Sequence, residues 1–339
     1  MQGGDRADVA RNAAVAPALK RRIRWLFAVA LVVFVGGACR APDPPLRVGV
    51  LVWPPYDLAY LAVEREFVDR DDVRLVTFHS PSEVARSFRY GLLDAMFTTS
   101  HFVLSLAPDV DGVRIVYVID SSRGGDVLLA KPRIDSPQDL AGRRVGVEAA
   151  PLGLYTLERA LDRMGLDRDA VEIVAIDTAE HFRAWQEDRV DALVTYEPTR
   201  SQLKRLGAKE LFSSRQIPDE ILDVLVVRDD IIEARRERLE DLVEGLDRAL
   251  AAYRADPAGT VSEMVQRHPI SPAEFMLAME GVELFDLADN VRLLGAADGR
   301  IAEALEKQCE VMVAAGMLER PPGLESVIDP SIVEQAAAR

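Results

Sequence analysis

From Arg47 onward the apolar positions follow two periods that take turns. "RVGVLV" (Arg47 to Val52) is a short β-rich run, and "YDLAYLAVEREF" then puts Tyr56, Ala59, Tyr60, Val63 and Phe67 on one helical face. A strand "VRLVTF", a short helix "PSEVARSFRYG" and a strand "LDAMFTT" follow. From Arg144 the same order returns as "RVGVEA", "LGLYTLERALDRM", "VEIVAI", "AEHFRAWQED" and "VDALVTY". Strands alternating with helices predict an α/β fold of two small lobes, each with a parallel sheet covered on both faces.

The two lobes keep a constant offset. "RVGV" starts at Arg47 and Arg144, "DAMFTT" and "DALVTY" start at Asp94 and Asp191, and "DVLLAK" and "DVLVVR" start at Asp126 and Asp223, each pair 97 residues apart. Ordered anchors at one offset argue for a structural duplication. The third pair brackets the second lobe and reads as a two-strand hinge. The predicted division is lobe 1 over residues 45–125, lobe 2 with its hinge strands over 126–227, and completion of lobe 1 by C-terminal helices over 228–339. In that last region Leu239, Leu242, Val243, Leu246, Leu250 and Tyr253 recur at helix spacing until Asp256 and Pro257 stop it.

Residues 1–39 are of another kind. "LKRRIR" (Leu19 to Arg24) precedes an apolar run from Trp25 that ends at small residues and Cys39, the layout of an export signal. The run falls short of the roughly 20 apolar residues of a membrane span; a retained signal anchor is the alternative. "VGGAC" resembles a bacterial lipobox, with Gly36 where leucine usually stands, which implies lipid attachment at Cys39. The other cysteine, Cys309, shares a helical face with Leu305 and Met312 and reads as a core residue.

Composition narrows the function classes. The 339 residues are 49% hydrophobic and 29% charged, as in a packed globular protein. The net charge of −15 becomes −19 once residues 1–39 are set aside, which excludes general binding to a nucleic-acid backbone. Histidines 79, 101, 181 and 268 show no HExxH or close ligand pair, and there is no Walker A loop or GxSxG elbow. The expectation is a protein with no catalytic residues, no metal and no cofactor.

In open parallel sheets ligands sit beyond the carboxyl ends of the strands. Those ends are "WPPYD", "TTSH", "EAAPLG" and "TYEPT", joined by "DSSRGGD" (Asp120 to Asp126) near the hinge. Trp53 reads as an aromatic wall, with plain packing as the alternative, and Tyr56 divides between cleft and core. Tyr155 falls off the apolar stripe of its helix and is assigned to the cleft with Tyr196. Thr98, Thr99, Ser100 and Ser122 offer hydroxyls, and Glu148 and Glu197 are the sharpest candidates, carboxylates at two strand ends. Asp126 and Asp223 remain split between ligand and hinge backbone, whereas Asp94 and Asp191 read as ends of helices or turns. Acids outnumber Arg123 and Arg200 here, favouring an amine or nitrogen heterocycle; a sulfonate or nitrate held by helix N-termini is the alternative.

The stretches "W-P-x-Y-x-x-x-Y-L-A", "D-x-S-x-G-x-D", "D-L-x-G-R-R-V-G-V-E", "V-D-A-x-V-T-x-E-P" and "S-S-x-Q-I-P-x-E-I-x-D-V-L-V-V-R" carry a resemblance. Over about residues 45–330 the chain resembles the nitrate/sulfonate/taurine-type, NMT1/THI5-like solute-binding proteins of bacterial ABC importers. The resemblance implies the type II periplasmic binding protein fold, a hinged clamp. It also implies a monomer, periplasmic or anchored at the cell surface, that captures a small molecule and passes it to permease and ATPase subunits. Pro55 stands where this family often has glycine after "WP". An enzyme or sensor domain on the same fold is the alternative, although the cysteine-rich iron-binding segment of the pyrimidine-synthase relatives has no counterpart in this sequence. Mass spectrometry of the mature protein should find a lipid-modified Cys39 as its first residue; an intact N-terminus would establish the signal anchor instead.

Overall fold

The two RVGV segments form the same piece of structure in two sheets. The computed structural model describes residues 43–108, 112–295 and 300–339, so the expected signal and Cys39 lie outside the described residues. The strands are β1 (Leu46–Leu51), β2 (Val73–Phe78), β3 (Ala95–Thr99), β4 (Val113–Ser122), β5 (Val127–Ala130) and β6 (Arg144–Val147). They continue with β7 (Glu172–Ala175), β8 (Ala192–Thr195), β9 (Lys209–Ser213), β10 (Leu222–Arg228) and β11 (Val282–Leu284). One sheet has the order β11-β4-β10-β3-β1-β2 and the other β7-β6-β8-β5-β9. β1 runs parallel to β2 and β3, and β6 parallel to β7 and β8, as the alternation of strand and helix predicts.

Each letter of RVGV has a physical task. Arg47 donates from its backbone nitrogen and Nε to Asp94 Oδ2, at 2.9 and 3.0 Å, and from its guanidinium to Oδ1. Arg144 repeats this on Asp191, at 3.1 and 3.2 Å. The aspartates that precede β3 and β8 thus tie those strands to β1 and β6, which is why Arg and Asp recur together. Burial opposes ionisation of Asp191, yet hydrogen bonds from Arg144 and Arg133 hold its carboxyl down at about 2. The glycines serve close packing: a Cβ on Gly49 would stand 2.6 Å from Val84 and 2.7 Å from Leu93, and one on Gly146 2.7 Å from Leu193. The valines are fully or almost fully buried on either side.

The last pair of anchors is placed differently from the expectation. "DVLVVR" is no crossing: β10 lies inside the first sheet, antiparallel to both β3 and β4. β5 likewise lies inside the second sheet, antiparallel to β8 and β9. Both sheets are therefore mixed. The chain crosses at residues 123–126 and again at 214–221, so the return to the first sheet precedes residue 222. A short, wholly apolar run is compatible with a crossing or with a central strand, and only the presence of two hydrogen-bonding neighbours decides between them. β5 shows what the central position requires: Leu128 and Ala130 join one core and Val127 and Leu129 the other.

The C-terminal part completes the first lobe. The helix Arg236–Ala255 packs on the helix Asp57–Glu64, and the helices Leu287–Leu294 and Ser331–Ala336 pack on β4. Cys309 is buried with Leu305 and Met312 on one face of the helix Arg300–Ala314. Among the described residues no helix is long and apolar enough to cross a membrane. Gly49→Ala and Asp94→Ala should each lower stability by about 1–3 kcal/mol in denaturant melts, through overpacking and through a lost charged hydrogen-bond set respectively. A Gly49→Ala protein as stable as the parent would mean that Val84 and Leu93 yield freely.

Candidate functional site

The carboxyl ends of β1, β3, β6 and β8 face one another across a cleft between the two lobes, bounded by the outgoing crossing. It holds about 510 Å³ of empty space, counting the open solvent at its mouth. Seven of the expected residues line it: Trp53 and Tyr56 after β1, Thr98 and Thr99 at the end of β3, Asp126 at the crossing, Glu148 after β6 and Tyr196 after β8. Leu51, Pro81, Phe102 and Leu152 supply apolar surface, and Asp223 of β10 adds a further carboxyl.

Aromatic contacts shape the walls. The Trp53 ring meets Tyr196 of the other lobe edge-on, with centroids 5.7 Å apart and planes at 88°. Trp53 Nε1 donates to Asp120 Oδ2 at 3.4 Å, and a Cβ on Gly125 would stand 2.8 Å from the Trp53 ring. That glycine is required so that the crossing can pass beneath the indole. Tyr56 stacks on Phe97 at 5.4 Å and donates its hydroxyl to Asp223 Oδ1, so it belongs to core and cleft at once. At the outer edge Ser80 Oγ donates to Asp177 Oδ2 at 2.9 Å, and Thr178 Oγ1 to the His79 carbonyl at 3.3 Å. Ser80 and Asp177 are equivalent positions of the two repeats, meeting across the lobes.

Four expected residues are placed outside the cleft lining, each for a local reason. Ser100 donates to Gln308 Oε1 at 2.9 Å. Ser122 shares a 2.7 Å hydrogen bond with Ser214 and accepts from the Asp126 nitrogen, joining the two crossings. Tyr155 donates to Glu220 Oε2 at 2.6 Å and packs its ring on His101 of the first lobe, 4.2 Å between centroids. Glu197 accepts from the nitrogen and hydroxyl of Ser201, both at 3.0 Å, and so ties down the first turn of the helix Thr199–Arg205. The expected pairing of Glu148 with Glu197 is thereby divided, and Glu197 borders a second hollow with His79, His181 and Arg267. Arg123 is held by Glu283 and Asp219, and Arg200 by Glu197 and Glu210.

Two further acids meet at the cleft: Asp223, which the sequence leaves split between ligand and hinge backbone, and Asp120, which nothing in the sequence singles out. They face each other on neighbouring strands, Asp223 opposite both Asp120 of β4 and Thr99 of β3. The usable signal was the offset itself, since Asp126 and Asp223 are equivalent positions and both line the cleft. Burial raises all four carboxyls of this region. It pushes Asp126 to about 6, against a hydrogen bond from Ser122. Glu148 goes to about 8, from burial and then the charges of Asp177 and Asp126. Burial also raises Asp120 and Asp223; the Asp223 charge raises Asp120 further, whereas hydrogen bonds from the Tyr56 hydroxyl and from Asp120 favour the Asp223 anion. Among the described residues no lysine, arginine or histidine lines the cleft. Among the described residues no group of three His, Cys, Asp or Glu is placed to hold a metal ion.

The chain belongs to the NMT1/THI5 like family, whose model matches residues 71–260, more than half of its length. It is 31% identical over 146 residues to the taurine-binding periplasmic protein of Escherichia coli (strain K12), a match that covers 42% of this chain and 45% of that relative. The ligand-binding component of an ABC-type import system from Staphylococcus aureus, solved with zinc bound, superposes with a TM-score of 0.72 at 14% identity, covering 87% of this chain and 99% of that one. The alkanesulfonate-binding protein of Xanthomonas axonopodis pv. citri bound to MOPS gives a TM-score of 0.66 at 16% identity, covering 87% and 98%. The fold is that of the type II periplasmic binding proteins, as the sequence resemblance implied, and the match to the taurine-binding relative spans less than half the length of either chain.

A carboxyl raised in the folded state binds its proton more tightly there than in the unfolded chain, so its stabilising contribution is present at low pH and lost as pH rises through the folded value. The melting temperature of the ligand-free protein should therefore fall as pH rises from the ordinary carboxyl value of 4.5 up to about 8, where the folded Glu148 still holds the proton that the unfolded chain has lost, and level off above that. Glu148→Gln should flatten that fall. Parallel pH profiles for mutant and parent would assign the titration elsewhere.

Proposed function

We propose that this protein is the exported solute-binding component of an ABC importer, a clamp that closes on one small molecule and presents it to a membrane permease. The observation that carries the reading is the cleft between two lobes joined by two crossings, with lining residues drawn from both lobes. A ligand that touches both lobes stabilises the closed arrangement by its contacts there and by nothing else. Trp53 against Tyr196 and Ser80 against Asp177 are contacts that an opening rotation has to break. On this reading Cys39 carries the lipid that tethers the mature chain, which acts as a monomer, and the matching permease and ATPase complete the importer. The three relatives named above are binding proteins by name, which supports import over catalysis.

The cleft offers its own reporter. Trp53 lines it, whereas Trp185 is buried in the second lobe beneath Lys131. A bound solute should change the tryptophan emission and reduce the radius of gyration in small-angle scattering, and Trp53→Phe should abolish the emission change. Pro at positions 124 and 125, where Gly124 has φ +121° and Gly125 passes under Trp53, should weaken closure. A solute that binds with no change in scattering in the parent would refute the clamp.

A further inference from the structure

Resting on that clamp reading, we infer that the cleft is built for an organic cation bearing N–H groups, held by the carboxylates of Asp126, Glu148 and Asp223 between the rings of Trp53, Tyr56 and Tyr196, and that it discriminates against sulfonates.

The inference follows from how this chain treats its other buried acids. Nine aspartates and glutamates are at least nine-tenths buried among the described residues. Five have a basic partner within ion-pair distance: Asp57 has His268, Asp94 has Arg47, Asp191 has Arg144, Glu197 has Arg200 and Glu240 has Arg339. The remaining four, Asp120, Asp126, Glu148 and Asp223, have none within that distance, and all four are gathered at the cleft. An uncompensated buried carboxylate is costly, so proteins pair it, protonate it or leave it for a ligand. Glu148 makes the case most directly. It is 6% exposed, lines the cavity, and receives no hydrogen bond from any described residue. Asp120 Oδ1 is likewise buried without a partner, behind Asp223.

The chemistry of the missing partner can be read from its surroundings. Three carboxyls call for N–H donors pointing in several directions, which an ammonium, amidinium or protonated aminoheterocycle provides. The tryptophan and tyrosine faces attract the same charge, an effect that grows when water is excluded. The acids surround a cavity instead of converging on a point, so a bare metal ion does not satisfy them. One feature favours an anion: the helices Asp57–Glu64, Pro81–Arg89, Ser100–Leu106 and Pro151–Met164 all start at the cleft wall. Each N-terminus offers about half a positive charge, set against the three carboxyls in the same cavity. Arg123 and Arg200, the nearest guanidiniums in the sequence to the cleft loops, already have acidic partners.

Matched probes of opposite charge on one skeleton test this. Calorimetry on the full mature protein would compare benzamidine with benzenesulfonate and butylamine with butanesulfonate, with taurine and Zn²⁺ as further arms. The expected result is binding of at least one cation, weakened at least about tenfold by Glu148→Gln and by Asp126→Asn, with no binding of its sulfonate counterpart. A melting temperature of the ligand-free Glu148→Gln protein no lower than the parent's at pH 6 would show that the loss is not misfolding. Binding of a sulfonate or of taurine more tightly than any cation overturns the cation inference while leaving the clamp intact. Preferential Zn²⁺ binding does the same. Failure of every probe to bind overturns both.

Discussion

Everything about the cleft depends on an exchange of strands. Each repeat supplies four strands to its own sheet and a fifth that pairs inside the other repeat's sheet: β5 leaves the first for the second, and β10 returns. Neither sheet is complete without a strand from the other half of the chain, so the lobes are covalently joined by two crossings that lie side by side. Ser122 and Ser214 hydrogen-bond where these crossings meet. The same exchange brings Asp126 and Asp223, equivalent positions in the duplication, to one cavity from opposite directions.

The electrostatic character of the molecule is uneven in an informative way. In the framework, acids are matched with bases: Asp94 and Asp191 hold the two RVGV arginines, and Glu220 is shared by Tyr155 and Arg159 between the lobes. At the cleft the matching stops. Burial then raises Asp126 and Glu148 toward neutral pH, a shift that a nearby cation would reverse. Structural relatives whose names refer to sulfonates share the fold at 13–16% identity, a level at which architecture persists while the chemistry of the lining residues is free to change.

Much of this was legible in the residues. Period two and period three-six separated strands from helices, and the 97-residue offset marked the duplication before any contact was known. Strand ends predicted the loops of the cleft, because parallel strands all deliver their carboxyl ends to one side. Seven of eleven proposed lining residues came together there. The four others failed for a shared reason. Ser100, Ser122, Tyr155 and Glu197 occupy the right loops, but loop membership does not specify which way a side chain turns, and each found a partner far along the chain or within its own helix.

What the sequence alone determined is therefore the part governed by local periodicity and repetition: two α/β lobes, the succession of strands and helices within each repeat, and the strand ends that border the cleft. Tertiary structure decided that β5 and β10 are inner strands of exchanged sheets, that Arg47 and Arg144 lock Asp94 and Asp191, and that four buried acids lack a base. Those outcomes depend on pairings between residues far apart in the chain, 47 positions for each arginine lock and 103 for Asp120 with Asp223. A hydrogen-bonding edge or a buried carboxyl acquires its meaning from the neighbour that satisfies it, and that neighbour is chosen only when the chain has folded.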